Sequence, residues 1–258
     1  MKNKFCTIIT IAFLTLLLVS IGTISCAYAQ DYTRISYYNQ VLPTIDGEWT
    51  SEDEWTDGEV TVISEDAKFT STWIYSDSVY THWLVEFFND TTDDPEDIWQ
   101  FCIDGDQSGG AAPQTGDFKF EIVGHTDLTW YEGDGTGWTE AALDESEIEW
   151  ANSLSESPTN STPHWILEFI IDKNAGTVLM GILWNFRVAV YDSSNSDAGV
   201  LAWPPGSDAD IPDGWGEENY SSEAIPEAFS FGVLVALSSV AAGVATFVFR
   251  KRSIIDSN

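Results

Sequence analysis

The chain has 258 residues, and its 42 Asp and Glu against 10 Lys and Arg give a formal net charge of −32. A surface this acidic repels phosphate groups, which excludes a protein that binds nucleic acid or anionic lipid through its charge. It suits divalent cations, a saline environment or a cationic partner, or it serves only to solvate the protein. Two of the three cysteines lie in the first 29 residues, so Cys102 remains alone and no internal disulfide is expected.

The N-terminal 29 residues have the pattern of a secretory signal peptide. Two lysines precede an uncharged apolar run over residues 5–24, and an Ala-Tyr-Ala sequence before Gln30 fits the cleavage site. A lipoprotein signal with Cys26 as the modified residue is the alternative. The sequence therefore predicts an exported protein that begins at Gln30.

Residues 42–122 alternate between strand-like and turn-like sequence. Residues 42–55, LPTIDGEWTSEDEW, predict an entry strand, an Asp-Gly turn and an acidic stretch. Residues 69–88 predict a β-hairpin, because aromatic residues recur at alternate positions on both sides of a Ser-Asp-Ser turn. Two further strands, residues 99–103 and 118–122, enclose an acidic loop.

That loop has the composition of a cation site. Its carboxylates are Asp104, Asp106 and Asp117. The sequence DxDxSG matches the first half of an oxygen-rich calcium loop, but Thr115 stands where an EF-hand has its bidentate Glu, and the flanks are strands. The loop predicts a site for calcium or another hard cation; the alternative is a polar hairpin loop whose carboxylates cap turns.

The remainder of the middle segment predicts more short strands. Residues 139–163 are polar, with one helical turn expected at 147–155, whereas residues 164–172 and 183–191 are amphipathic strands. A short strand at 199–203 precedes a proline- and glycine-rich loop. About eight to ten short strands without an internal repeat predict an all-β fold, an antiparallel β-sandwich of jelly-roll-like form.

The C-terminal part predicts a membrane anchor. Residues 229–249 form an uncharged stretch that is long enough to span a bilayer. An Arg-Lys-Arg cluster follows this stretch and predicts that the C-terminal end is cytoplasmic. The sequence thus divides into a signal peptide at 1–29, an extracellular β-sandwich at 30–224 and a transmembrane anchor at 225–258. Residues 30–227 then hold five Lys or Arg and 41 Asp or Glu, a net charge of −36.

Several motifs resemble, in order and spacing, those of carbohydrate-binding module family 9. They are IDGEW ahead of Trp55, Asp97 before FCIDGD, Glu168 within HWILEFIID, Asp192 after FRVAVY, and LAW with PDGWG. The resemblance covers residues 43–216 and implies a calcium-stabilised β-sandwich related to the DOMON domains. It also implies that Asp97, Asp104 and Asp192 occupy the family's acidic positions. The C-terminal tail resembles the PEF-type sorting tails of archaeal surface proteins.

Sugar-binding members of that family clamp a saccharide end between two tryptophans, and this chain departs from the pattern at both positions. Asp94 or Pro95 stands at the first position, and residues 207–211 occupy the second. The nearest aromatic residues, and hence the candidate stacking platforms, are Trp203, Trp215 and Trp99. An aromatic face packs well against the C–H surface of a sugar, but a tryptophan is more often part of a protein core than a sugar platform.

No nucleophile elbow, HExxH, phosphate-binding loop or GxGxxG motif is present in the sequence. We therefore expect no enzyme, at most an accessory of a glycoside hydrolase. The leading hypothesis is a surface-anchored, non-catalytic carbohydrate-binding module with calcium as cofactor and a saccharide or cell-envelope glycan as partner. The alternative is a structural or adhesive cell-envelope protein. Sequons at Asn89, Asn160 and Asn219 are compatible with glycosylation.

Overall fold

The computed structural model describes residues 32–39, 41–55, 58–74, 77–142, 147–173, 180–181 and 183–224. The predicted signal peptide at 1–29 and the predicted anchor at 225–258 lie outside the described residues. Among the residues described, no helix is long and apolar enough to cross a membrane. The described residues all lie within the segment that the sequence predicts to be a β-sandwich.

Most of the described chain forms β-strands. The strands are β1 (Thr33–Asn39), β2 (Glu59–Val62), β3 (Ala67–Ile74), β4 (Asp77–Phe87), β5 (Ile98–Asp104), β6 (Asp117–Val123), β7 (Asp127–Gly133), β8 (Trp138–Glu140), β9 (Ile148–Ser157), β10 (Asn160–Asp172), β11 (Leu183–Tyr191), β12 (Leu201–Trp203) and β13 (Gly216–Ala224). The helical elements within the same ranges are short: α1 (Glu52–Trp55) and 3-10 turns at Ser196–Ala198 and Pro212–Gly214.

The strands form one curled sheet in the order β8-β7-β6-β5-β11-β13-β1-β3-β4-β10-β9, with β12 beside β11 and β2 beside β3. The prediction of a wholly antiparallel sandwich is wrong at β1, which runs parallel to both of its neighbours, β13 and β3. Parallel neighbours require a long connection, which residues 41–66 provide between β1 and β3. Apolar residues alternate with the same period in parallel and antiparallel strands, so the sequence of β1 does not reveal its direction relative to its neighbours.

The sheet is curled so that its two halves pack face to face. Strands β5, β6 and β11 supply one inner face, and β3, β4 and β10 supply the other. Aromatic rings meet between them: the ring of Phe101 lies 4.8 Å from that of Trp83 and 5.2 Å from that of Phe169. Alternate residues of each strand enter this core, which is the pattern that predicted the strands.

The predicted hairpins are confirmed, with Phe69 opposite Val85 in β3–β4 and Asp104 opposite Asp117 in β5–β6. The helical turn predicted at 147–155 is wrong, because β9 occupies this stretch and pairs with β10. β9 is an edge strand of the sheet and its residues are mostly only half-buried, so its polar side chains are tolerated and weaken the alternation.

Residues 44–55, which we call the N-terminal strap, cross the outer face of β4 and β10 and do not form the predicted entry strand. Fully buried Glu168 of β10 binds the strap by accepting hydrogen bonds from Asp46 N (3.1 Å), Gly47 N (2.9 Å) and Trp55 Nε1 (2.9 Å). Burial raises the pKa of Glu168 to about 7, although these three donors oppose the shift. The Glu168 side chain thus supplies the hydrogen-bond acceptors for these N–H groups of the strap, which in a β-strand would come from the backbone of a neighbouring strand.

Candidate functional site

Two acidic clusters lie at opposite ends of β5. The first acidic cluster contains Asp90, Asp94, Asp97 and Asp192, and the second contains Asp104, Asp106 and Asp117. Carboxylate oxygens of Asp94, Asp97 and Asp192 lie within 4.8 Å of one another, as do those of the second acidic cluster. The structure therefore divides the five carboxylates predicted to bind metal into two groups, Asp97 with Asp192 and the remaining three together.

Asp97 is the centre of the first acidic cluster. Its Oδ1 accepts a hydrogen bond from Ser193 N at 2.8 Å, and its Oδ2 accepts one from Asp94 N at 3.1 Å. Asp90 Oδ2 is buried and has no hydrogen-bond partner among the described residues. Burial, with the neighbouring charge of Asp97, raises the pKa of Asp90 to about 7.

His125 borders the first acidic cluster as a hydrogen-bond donor. Trp99 Nε1 donates to His125 Nδ1 at 3.2 Å, so in the neutral imidazole the proton is on Nε2, which lies 3.1 Å from Asp97 Oδ2. The imidazole also stacks on Trp165 with ring centroids 3.5 Å apart. Burial lowers the pKa of His125 against the opposing effect of Asp97. His125 therefore orients a carboxylate, and oxygen atoms remain the available metal ligands.

In the second acidic cluster, backbone amides hold the carboxylates. Ser108 N and Gly109 N donate to Asp104 at 3.0 and 2.9 Å, and Gln114 N donates to Asp117 Oδ2 at 2.7 Å. Asp117 Oδ1 is buried without a hydrogen-bond partner in the described chain. Burial raises the pKa of Asp117 to about 7, with Asp104 contributing in the same direction. Buried, partnerless oxygens in an all-oxygen donor set fit a hard cation such as calcium.

The tryptophans predicted as sugar platforms are all buried. Trp99, Trp203 and Trp215 are 2%, 6% and 7% exposed, respectively. The ring of Trp203 lies 4.7 Å from that of Phe186, and the ring of Trp215 is parallel to that of Trp138 at 6.3 Å. Because protein atoms occupy their faces, these rings serve packing in this structure and do not present a stacking surface.

An open pocket of about 330 Å³ lies elsewhere, on the outer face of β5 and β11 under the loop of residues 206–209. Its lining combines apolar atoms with hydrogen-bonding groups. The lining residues include Ile98, Gln100, Arg187, Ala189, Tyr191 and Asp208. A concave, mostly apolar site with a few convergent polar groups is the usual form of a small-molecule site. We call it the outer pocket.

A chain of hydrogen bonds crosses the floor of this face from β11 through β5 to β6. Arg187 Nη1 donates to Gln100 Oε1, Gln100 Nε2 donates to Glu121 Oε1 at 2.6 Å, and Lys119 Nζ donates to the same Glu121 oxygen at 3.1 Å. The Lys119 ammonium also lies 4.3 Å from the ring centre of Tyr131. These contacts fix polar side chains before any ligand arrives.

Sequence reasoning missed Gln100, Lys119 and Arg187 as site residues. Each occupies an outward position of a strand whose inward residues are aromatic, and such positions normally carry polar side chains without function. Only the pairing of β5 with β6 and β11 places them side by side. The one available signal was the rarity of cationic residues in this acidic chain.

No known protein-family model matches the chain, and no curated protein matches its sequence. It is similar to the solved structure of a carbohydrate-binding module family 9 from Caldicellulosiruptor kristjanssonii in complex with glucose. The TM-score is 0.52 at 17% identity, covering 76% of this chain and 100% of the other. The corresponding structure with cellotriose gives 0.50 at 18% identity, covering 76% and 97%. The fold is therefore a β-sandwich like that of carbohydrate-binding module family 9.

Proposed function

We propose that the protein is a non-catalytic carbohydrate-binding module whose saccharide binds in the outer pocket. The observation that carries the proposal is the pocket itself, where a prearranged row of polar side chains borders an open cavity of about 330 Å³. The pocket also contains residues 206–209, and 207–211 is the segment that the family resemblance places at the second clamp position. The fold similarity to modules solved with glucose and cellotriose supports the carbohydrate-binding role.

The pocket offers both kinds of contact that a sugar requires. Ile98, Ala189 and the ring of Tyr191 provide apolar surface for the C–H face of a pyranose, and Gln100 and Arg187 provide groups for its hydroxyls. Because these polar groups are already held by one another, binding costs little additional side-chain entropy. The site therefore replaces a tryptophan clamp with one smaller aromatic ring and a hydrogen-bonding floor.

Calcium is proposed as the structural cofactor. Asp90, Asp94, Asp97 and Asp192 would hold one ion, and Asp104, Asp106 and Asp117 another. A bound cation neutralises carboxylates that otherwise repel one another in a buried setting. The protein contributes the orientation of these oxygens, through the donors at Ser193, Gly109 and Gln114.

We further propose that residues 30–224 form this module outside the cell and that residues 225–258 anchor it at the cell surface. The charge-free stretch at 229–249 and the basic cluster after it support the anchor. The acidity of the chain supports an aqueous, cation-rich setting.

Isothermal titration of the purified protein with glucose and cellotriose, in the presence of calcium, tests the binding role. We expect saturable binding that a Tyr191→Ala substitution weakens, because it removes the aromatic side chain from the pocket. Tyr37→Ala, on β1 outside the pocket, is the matched control. Absence of binding to neutral and acidic saccharides alike would refute the proposal.

The burial of all three predicted platform tryptophans favours a second candidate, a structural or adhesive envelope protein. In that case the acidic clusters rigidify a spacer and the outer pocket has no ligand. The titration separates the two candidates, since only the first predicts heat that saturates with sugar.

A further inference from the structure

Arg187 occupies an unusual electrostatic position in the outer pocket. Its side chain lines the cavity, yet the residue is only 4% exposed. Its Nε donates to Ser207 O at 3.1 Å, and its Nη1 donates to Gln100 Oε1. Both acceptors are neutral, so its positive charge is solvated by dipoles and is not cancelled by a carboxylate.

Three other cations, Arg34, Lys68 and Lys119, have carboxylate partners, and the Lys173 ammonium lies 4.3 Å from the ring centre of Tyr220. The ion pairs are Arg34–Glu218 at 3.2 Å, Lys68–Glu86 at 2.7 Å and Lys119–Glu121 at 3.1 Å. Within the described residues, no carboxylate oxygen lies within 4.0 Å of an Arg187 nitrogen. In a chain with 42 acidic residues, a buried guanidinium that forms no ion pair with a described carboxylate leaves a site for an anion from outside.

The chemistry of Arg187 specifies the kind of anion. A guanidinium stays charged at any physiological pH, and its planar fork matches the two oxygens of a carboxylate. The surrounding Ile98 and Ala189 lower the local polarity, which strengthens a charge-assisted hydrogen bond. A cavity of about 330 Å³ is at the small end of ligand sites and suits a single sugar ring.

We infer that the outer pocket selects a saccharide that carries a carboxylate, such as a uronic acid, through the guanidinium of Arg187. The inference rests on the proposed function and specifies its ligand class. Asp208 also lines the pocket, but it is exposed at the rim and its Oδ1 accepts a hydrogen bond from Asp210 N. Its charge is screened by solvent, whereas that of Arg187 is buried, so Arg187 dominates.

Competition titrations of the purified protein with D-glucuronate, its methyl ester and glucose test the inference. We expect glucuronate to bind at least about tenfold more tightly than either neutral sugar, as a charge-assisted hydrogen bond provides. Arg187→Gln should abolish this preference. Asp208→Asn should raise the affinity for glucuronate and leave the affinities for glucose and the methyl ester unchanged. Lys68→Gln, which removes the same charge outside the pocket, should preserve the preference.

Equal binding of glucose and glucuronate would overturn the inference while the proposed function stands. Binding of no sugar at all would overturn both the inference and the proposed function. If acetate or sulfate competes as strongly as glucuronate, the pocket is an anion site and the saccharide assignment is wrong. Should Arg187→Gln fail to fold, Arg187→Lys and the wild-type salt dependence decide: the lysine variant should retain only part of the preference, and added salt should weaken glucuronate binding but not glucose binding.

Discussion

Trp203 shows how burial decides the role of an aromatic residue. Its sequence setting, at the end of a strand before two prolines, made it a candidate sugar platform, but its ring packs against Phe186, Phe69 and Tyr32. Gly216 lies against the same ring so closely that an added Cβ would lie 2.2 Å from it. Trp203 is therefore part of the core that supports β11 and the outer pocket.

Trp203→Ala should accordingly destabilise the protein by about 3–5 kcal/mol, the usual cost of removing a large buried aromatic. Urea unfolding measures the loss. Trp138→Ala, at a half-buried position, is the matched control and should cost less. A stable Trp203→Ala variant with weakened sugar binding would show that the ring contacts ligand after all.

Glu168 is the second residue whose environment matters more than its identity. Its folded-state pKa of about 7 exceeds its ordinary value of 4.5, so the folded state holds the proton more tightly than the unfolded state. The contribution of this residue to stability is therefore greatest below pH 4.5 and decreases as the pH rises towards about 7.

Glu168→Gln should remove that part of the pH dependence. It should also lower the free energy of unfolding by about 1–3 kcal/mol, because an amide NH₂ would face one of the strap's N–H donors. Melting temperatures at pH 5 and pH 8 provide the measurement. Exposed Glu149→Gln should leave the wild-type pH profile intact, and an unchanged profile in Glu168→Gln would refute the assignment.

At the scale of elements, β5 organises the molecule. Its inward residues enter the aromatic core, its outward residues line the pocket side, and its two ends carry the acidic clusters. The alternation of WQFCID predicted the strand and the acidic loop after it, whereas Asp97 and Asp192 came only from the family resemblance. Alternation does not show that Asp192, far along the chain, joins Asp97, because that contact depends on the pairing of β5 with β11.

Calcium should raise the melting temperature if the two clusters bind it. A ligand present at a free concentration of about 100 times its Kd adds about 2.7 kcal/mol to the free energy of unfolding. Asp117→Asn should reduce this calcium-dependent increase. Asp134→Asn, in the exposed β7–β8 turn outside both clusters, should preserve it. Equal melting curves with calcium and with chelator would leave the carboxylates as turn-forming groups only.

For the whole molecule, net charge is the dominant property. A formal charge of −32 opposes compaction through self-repulsion, and dissolved salt screens that repulsion. Raising NaCl from about 0.1 M to about 1 M should therefore increase the melting temperature. The melting temperatures are measured in the presence of a chelator, so that specific divalent-cation binding does not contribute. A melting temperature that stays constant or falls with added NaCl would contradict the prediction.

The sequence by itself determined the β class, both central hairpins and the acidic loop after β5, because these depend on local alternation and turn residues. It missed β9, whose polar edge position weakens the alternation, and the parallel orientation of β1, which leaves no local trace. Tertiary structure alone decided that the candidate tryptophans are buried and that Arg187 and Gln100 share a pocket. Burial and cross-strand neighbours depend on which strands pair, and that choice is made by the whole sheet.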